Sequence, residues 1–93
     1  MFIGILKLHL HIPASNSLKH KRMILNSFKG RLRSNFNVSV AEIDDYDKWQ
    51  RTTIAICYVC SEKKYIHKTT EKLLNFAELF NGAELLNHEM EIL

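Results

Sequence analysis

The sequence has little of what bends or crosslinks a chain: one proline, three glycines and two cysteines among 93 residues. It also has no apolar run near the ~18 residues that a membrane span needs. No charged stretch followed by an apolar run and a small-residue cleavage site marks a signal peptide at the N-terminus. We therefore expect one domain over residues 1–93, located in the cytoplasm and without contact with a membrane.

The two cysteines, Cys57 and Cys60, have the C-x-x-C spacing of redox and zinc sites. They lie in the segment TTIAICYVC, whose β-branched residues are typical of a strand. Residues three apart on a strand point to opposite faces with Cα atoms about 10 Å apart, beyond the ~7 Å limit for a disulfide. A zinc site would need two further ligands nearby. We interpret the cysteines as small, half-buried structural residues.

Apolar residues recur with the periods of strands and helices in six successive segments. Residues 6–12, LKLHLHI, alternate with period two and predict a strand. A helix follows in which Leu18, Leu25, Phe28 and Leu32 form the buried stripe and Ser17 or Ser15 is the N-cap. NVSVAEI and RTTIAICYVC predict two further strands.

The last third of the sequence predicts a second helix and a fourth strand. The helix begins at Ser61, ends before Asn81 and Gly82, and buries Ile66, Leu73, Phe76, Ala77 and Phe80. The strand places Leu86, His88, Met90 and Ile92 on one side. With right-handed crossovers, the order βαββαβ predicts an α+β ferredoxin-like sandwich, a four-stranded antiparallel sheet with two helices on one face.

Positive charge is concentrated in the first predicted helix. The segment from Ser17 to Asn35 has six Lys and Arg residues and no acidic residue; since the whole chain carries +3, the rest carries −3. Four of these cations recur at helical spacing on one flank: Lys19, Arg22, Lys29 and Arg33. A ridge of one sign fits a phosphate backbone and makes these residues RNA-binding candidates. The alternative is an ordinary solvated helix face.

Acidic and aromatic residues are concentrated in EIDDYDKWQRT, residues 42–52. Asp44, Asp45 and the nearby Asp47 are turn-forming residues, so we predict a hairpin loop between the second and third strands. A calcium loop would need more oxygen ligands and a glycine at its sharp bend. The loop also holds Tyr46, Trp49 and Arg51, residue types that anchor interfaces, and these three are partner-binding candidates.

Two histidines, His9 and His11, alternate on the first strand and have a spacing that can place two imidazoles on one metal ion. The predicted topology offers another explanation, because the last strand pairs with the first. Glu89 and Glu91 could then lie opposite Lys7 and His9 as cross-strand charge pairs. The sequence favours the charge pairs and leaves metal binding open.

The sheet face away from the helices is expected to be apolar at its centre, with Ala55 beside four candidate contact residues. These dimer-face candidates are Ile3, Ile5, Cys57 and Val59. A contiguous apolar patch usually meets a partner, and a second copy of the chain is the simplest one.

Five segments resemble the YlxP-like family of small bacterial proteins of unknown function. They are LHIP (10–13), SLKHKR (17–22), RLRSNFNVSVAEID (31–44), DKWQRT (47–52) and GAELL (82–86). The resemblance implies a ferredoxin-like fold. Genes of this family often lie beside genes for transcription elongation, translation initiation and ribosome maturation, which is an association by gene neighbourhood only. Three residues depart from the family pattern: His20 replaces a usual Glu, Gly30 falls inside a helix, and His9 stands at a position that is often acidic in the family.

These observations favour a non-enzymatic RNA- or ribosome-associated module that binds through its basic first helix. The alternative is a homodimeric protein-interaction module that uses the open sheet face and the Trp49 loop. An RRM is not indicated, because the third strand lacks the RNP aromatic residues and has only Tyr58. An acylphosphatase-like enzyme would need a glycine-rich loop after the first strand, where this chain has HIPASNS. We predict no catalytic residues, no cofactor and no small-molecule substrate.

Overall fold

The computed structural model describes all of residues 1–93 and has the predicted order of elements. The strands and helices are β1 (Phe2–His11), α1 (Leu18–Asn35), β2 (Ser39–Asp44), β3 (Arg51–Cys60), α2 (Lys63–Leu79) and β4 (Glu84–Ile92). Neither helix is long and apolar enough to pass through a bilayer.

The four strands form one antiparallel sheet in the order β2-β3-β1-β4. Both helices cover the same face, and their aromatic residues meet there: the Phe28 ring of α1 lies 5.5 Å from the Phe76 ring of α2. The predicted ferredoxin-like sandwich is confirmed. The central strands β1 and β3 pair over ten residues, from Phe2 opposite Cys60 to His11 opposite Arg51.

The core lies between the sheet and the helices. Alternate residues of β1, Leu6, Leu8 and Leu10, are fully buried on the helix side, as period two requires. Helix α1 contributes Leu25, Phe28 and Leu32 to the same core. The wider cluster has 15 buried apolar residues. Since the helices cover only one face, the other face of the sheet stays open.

The helix boundaries follow local hydrogen bonding. Ser17 is the N-cap of α1, and its Oγ accepts the His20 backbone N–H at 3.0 Å, so Ser17 rather than Ser15 fills this role. Helix α2 begins at Lys63, two residues later than Ser61, after an N-cap Glu62 that makes no side-chain bond. It ends at Leu79, and Gly82 then takes φ 116°, a conformation that favours glycine.

The last strand departs from the predicted pattern at one residue. Its pairing with β1 shifts between His9 and Leu10, so Leu85 lies opposite Leu10 and Asn87 opposite His9. Leu85 is therefore half-buried on the core side, while Leu86 is 50% exposed. The prediction of Leu86 on the apolar side was wrong because a bulge adds one residue to the strand and reverses the alternation beyond it.

A small polar cluster lies inside the core, between β3 and α2. The buried Thr70 hydroxyl donates to the Ile66 carbonyl oxygen at 2.8 Å and accepts a short hydrogen bond from the Tyr58 hydroxyl. Burial raises the pKa of Tyr58 above its usual value. Gly4, opposite Tyr58, leaves room for the ring, since a Cβ there would lie closer than 3.0 Å to three ring atoms.

Candidate functional site

The four RNA-binding candidates lie on one side of α1, and we call them the basic flank. Lys19, Arg22 and Arg33 are exposed, and Lys29 is half-buried. The five ion pairs of the structure involve none of them. Arg33 Nη2 donates to the Val40 carbonyl oxygen at 3.2 Å, which places this flank beside the edge strand β2. The basic flank therefore keeps an uncompensated positive charge.

Lys21 lies among these cations in the sequence but points into the protein and is 1% exposed. Its Nζ lies 2.9 Å from Glu42 Oε2 and donates to the Asp45 carbonyl oxygen at 2.5 Å. The Thr52 hydroxyl donates to the same Glu42 oxygen at 2.6 Å. The ammonium and the carboxylate are thus both paired, the condition under which buried charges are tolerated.

Sequence reasoning missed this role of Lys21, although a signal was present. Lys21, Leu25, Phe28 and Leu32 are spaced by four, three and four residues, the spacing of one buried stripe. A lysine at that spacing must either reach solvent or find a buried anion. Glu42 provides the anion because it lies on the helix side of β2, opposite Ile54.

The loop between β2 and β3 is tied to the start of α1. Gln50 Nε2 donates to the carbonyl oxygens of Pro13 at 3.2 Å and Ser15 at 3.1 Å. The Gln50 carbonyl oxygen accepts the Ile12 N–H at 2.8 Å. With the bond from Lys21 to Asp45, these contacts hold the loop against the segment that enters α1.

The acidic residues of this loop make its turn, as predicted. Asp44 Oδ1 accepts the Asp45 N–H at 2.8 Å, and the Asp45 carbonyl oxygen accepts the Lys48 N–H at 3.1 Å. Asp45 has φ 64°, a left-handed conformation that aspartate tolerates better than most residues. A hydrogen bond from Lys48, whose Nζ lies 3.1 Å from Asp45 Oδ1, holds the pKa of Asp45 below its usual value.

The three partner-binding candidates are presented by this loop and by the start of β3. Tyr46 is 61% exposed, Trp49 is 54% exposed, and Arg51 is exposed as the first residue of β3. Because Lys21 joins the loop to the first turns of α1, these residues and the candidates Lys19 and Arg22 lie at the same end of the molecule. The structure thus brings together two predicted sites that are separate in the sequence.

The dimer-face candidates form one patch on the open side of the sheet. Ile3 lies opposite Val59, and Ile5 lies opposite Cys57, on the adjacent strands β1 and β3. Val59 and Cys57 are exposed, and the two isoleucines are half-buried. A shallow groove of about 290 Å³ leads from Ile5 toward β4, where it is lined by Lys7, Glu89, Met90 and Glu91. Cys60 lies on the other face of the strand, and both thiols are free.

The two strand histidines meet carboxylates of β4. His9 Nε2 lies 2.8 Å from Glu89 Oε2, and His11 Nδ1 lies 3.4 Å from Glu84 Oε2. The hydrogen bond from His9 lowers the pKa of Glu89. Glu89 is opposite Lys7, as predicted, but Glu91 is opposite Ile5 rather than His9. No three His, Cys, Asp or Glu side chains are grouped as a metal site would require.

Comparison with known proteins places the chain in a family. Residues 3–90 match the family model described as "Protein of unknown function (DUF503)". The uncharacterized protein YlxP of Bacillus subtilis is 36% identical over 82 residues, which cover 88% of this chain and 89% of the relative. The YlxP-like resemblance of the sequence is therefore confirmed, and the chain belongs to the DUF503 family.

Proposed function

We propose that this protein is a non-enzymatic module of the cytoplasm that binds RNA through its basic first helix. The RNA is either free or part of a ribonucleoprotein. The observation that carries the proposal is the basic flank, whose four cations have no acidic neighbour on α1 and no ion-pair partner elsewhere. Cations of this kind displace counterions condensed on a phosphate backbone, which supplies affinity without sequence preference. A solvated helix face needs no such concentration of one sign.

The open face of the sheet is a poor platform for bases, which favours binding through the helix. Modules of the RRM type stack bases on aromatic side chains of their central strands. Here Ala55, Cys57 and Val59 lie on the open side of β3, and its only aromatic residue, Tyr58, is buried against the helices. Contact with RNA is then left to α1 and the loops beside it.

The test is a titration of single-stranded RNA of about twelve nucleotides, the scale of known single-strand sites. At low salt we expect a dissociation constant below ~10 μM. The logarithm of the association constant should fall with log[salt] at a slope between about −2 and −3, because each phosphate contact contributes about −0.7 to the slope. Reversal of two exposed flank cations, Lys19→Glu with Arg22→Glu, should weaken binding at least tenfold for every RNA sequence, because phosphate contacts carry no sequence information.

A matched control makes the same change in charge on α2. Lys63→Glu with Lys68→Glu alters two exposed lysines outside the five ion pairs and should change affinity far less. Thermal melts should show that both double variants fold. Absence of binding at ~10 μM, or equal losses in the two variants, would contradict the proposal.

A second candidate function, homodimerisation, rests on the open-face patch. Ile3, Ile5, Cys57 and Val59 lie in two directly opposed pairs, and Val59 is 62% exposed. Burying this patch against a second copy would remove its apolar surface from water. Analytical ultracentrifugation at tens of micromolar should show a dimer, and Ile5→Glu should convert it into a monomer. A wild-type monomer at that concentration rules this candidate out.

A further inference from the structure

We infer that the RNA is single-stranded where it binds, with unpaired bases stacking on Trp49 and Tyr46 while its phosphates follow the basic flank. This inference rests on the proposed function and adds to it the class of RNA and the part of the nucleotide that the loop contacts. The loop in question comprises residues 45–50, and we call it the aromatic loop.

The two rings of the aromatic loop have no visible structural role. Trp49 is 54% exposed and Tyr46 is 61% exposed, and neither belongs to the apolar core or to an aromatic pair of the structure. Stacking of a base on such a ring contributes roughly 1–3 kcal/mol in single-strand binding proteins. Exposed rings of this kind are therefore suited to unpaired bases.

The aromatic loop is held in place before any ligand binds. Lys21 donates to the Asp45 carbonyl oxygen at 2.5 Å, and Gln50 donates to the Pro13 and Ser15 carbonyl oxygens. These contacts fix one end of the loop to α1 and the other end to the segment that enters α1. Less conformational entropy is then lost when a base stacks, because the backbone that presents Trp49 is already ordered.

The same contacts place the aromatic loop at the end of the molecule where the basic flank begins. The Lys21 side chain spans from α1 to Asp45, and Arg22 leaves the helix about 100° from Lys21. A single strand whose phosphates lie on Arg22 can therefore turn its bases toward the loop, while Lys19, on the side of α1 away from Lys21, meets phosphates farther along the strand.

The carboxylates in and beside the aromatic loop decide whether the phosphates or the bases of the RNA face the loop. Asp44 and Asp47 are exposed and take part in none of the ion pairs, so they repel phosphates. Bases are uncharged and are not repelled. A duplex would bring the phosphates of its second strand toward these carboxylates and keep its bases stacked inside, so the surface favours a single strand.

Intrinsic fluorescence tests the inference directly, because Trp49 is the only tryptophan. We would titrate the protein at low salt with a single-stranded RNA of about twelve nucleotides, and with the same strand annealed to its complement. We expect the single strand to quench Trp49 at the concentrations at which it binds. The duplex should bind more weakly and leave the fluorescence nearly unchanged.

Substitutions separate stacking from charge, with affinity read from the anisotropy of labelled RNA. Trp49→Ala should weaken single-strand binding about tenfold, and Trp49→Phe should restore most of the affinity because a ring remains. Neither change should alter the salt slope, since no phosphate contact is lost. Tyr65→Ala is the matched control. Tyr65 is 41% exposed and lies on α2, which follows the Cys60 end of β3, whereas the aromatic loop precedes the Arg51 end.

The outcomes distinguish this inference from the proposed function. If the single strand binds with the expected dependence on Lys19 and Arg22 but Trp49→Ala binds like wild type, the inference is wrong and the proposed function stands. Equal affinity and equal quenching with the duplex also overturn it. If no RNA binds, both fail together.

Discussion

Lys19 and Lys21 are the same residue type, two positions apart on α1, and they meet opposite environments. Lys19 is exposed and unpaired, whereas Lys21 is 1% exposed and bonded to Glu42 and Asp45. Two residues correspond to about 200° of rotation around a helix, so the side chains leave on nearly opposite sides. The position of a lysine in the helical period, and not its charge, decides whether its ammonium group lies at the surface or forms a buried contact with another element.

The two lysines also differ in what their loss would leave behind. Removing the Lys19 side chain leaves no charged group without its partner, because Lys19 is exposed and takes part in no ion pair. Removing Lys21 leaves the Glu42 carboxylate, whose side chain is 17% exposed, without its cation. An unpaired buried charge is more costly than the pair is favourable, so loss of Lys21 should affect stability far more.

Replacement of Lys21 is the largest effect we expect and tests this comparison most sharply. Lys21→Ala should lower the free energy of unfolding by about 3 kcal/mol, because it strands Glu42 and frees the Asp45 carbonyl oxygen. Lys19→Ala should change it by less than about 0.5 kcal/mol. Urea unfolding measures both. Lys21→Met combined with Glu42→Leu should recover much of the loss, and equal losses for the two alanine variants would contradict the assignment.

Gly4 and Gly30 offer a second comparison between a buried and an exposed position, and Gly4 is the one without space around it. Gly4→Ala would place a Cβ closer than 3.0 Å to three atoms of the Tyr58 ring, which is buried and bonded to Thr70. Overpacking of this kind costs about 1–3 kcal/mol. Urea unfolding should show the loss, and Tyr58→Phe should not relieve it, because the ring remains. An unchanged midpoint would show that the ring can move aside.

Gly30 is the opposite case, since a Cβ there would meet nothing within 4 Å. Alanine is favoured over glycine in a helix interior by up to about 1 kcal/mol. Gly30→Ala should therefore raise the thermal midpoint of the protein, which differential scanning calorimetry measures. A lower midpoint would mean that this exposed position of α1 needs glycine for a reason other than space.

The smallest effect is a pH dependence of stability that comes from the two hydrogen-bonded carboxylates, Asp45 and Glu89. The pKa values of Asp45 and Glu89 are lowered by hydrogen bonds from Lys48 and His9, so folding favours their charged forms. Their contribution to stability is complete above the unfolded pKa values of about 4 and is lost as pH falls through the lowered folded values. Melts at decreasing pH should show a shallower acid loss for Glu89→Gln than for wild type. Asp47→Asn is the control, and an equal change there would contradict the pairing.

Sequence periodicity predicted the order of elements, the open sheet face and the identity of most core residues. These features depend on local alternation, which the sequence shows directly. The bulge in β4 was not predictable, because Leu85 and Leu86 are both apolar and either could face the core. Only the pairing with β1 selects between them.

The candidate site was predictable as two separate pieces. Helical spacing gave the basic flank, and composition gave Tyr46, Trp49 and Arg51. Their meeting at one end depends on contacts from Lys21 to Asp45, 24 positions away, and from Gln50 to Pro13, 37 positions away. No local pattern reports such contacts, although the place of Lys21 in the buried stripe indicated that a buried anion was needed.

The ties made by Lys21 and Gln50 also have a consequence for local opening. A surface loop usually opens independently of the helices around it, with a small free energy. Here residues 45–50 cannot leave their position as a unit unless the bond from Lys21 to Asp45 and the bond from Gln50 to Ser15 both break. In native-state hydrogen exchange, the amide of Lys48 and that of His20 in the first turn of α1 should therefore exchange as one cooperative unit.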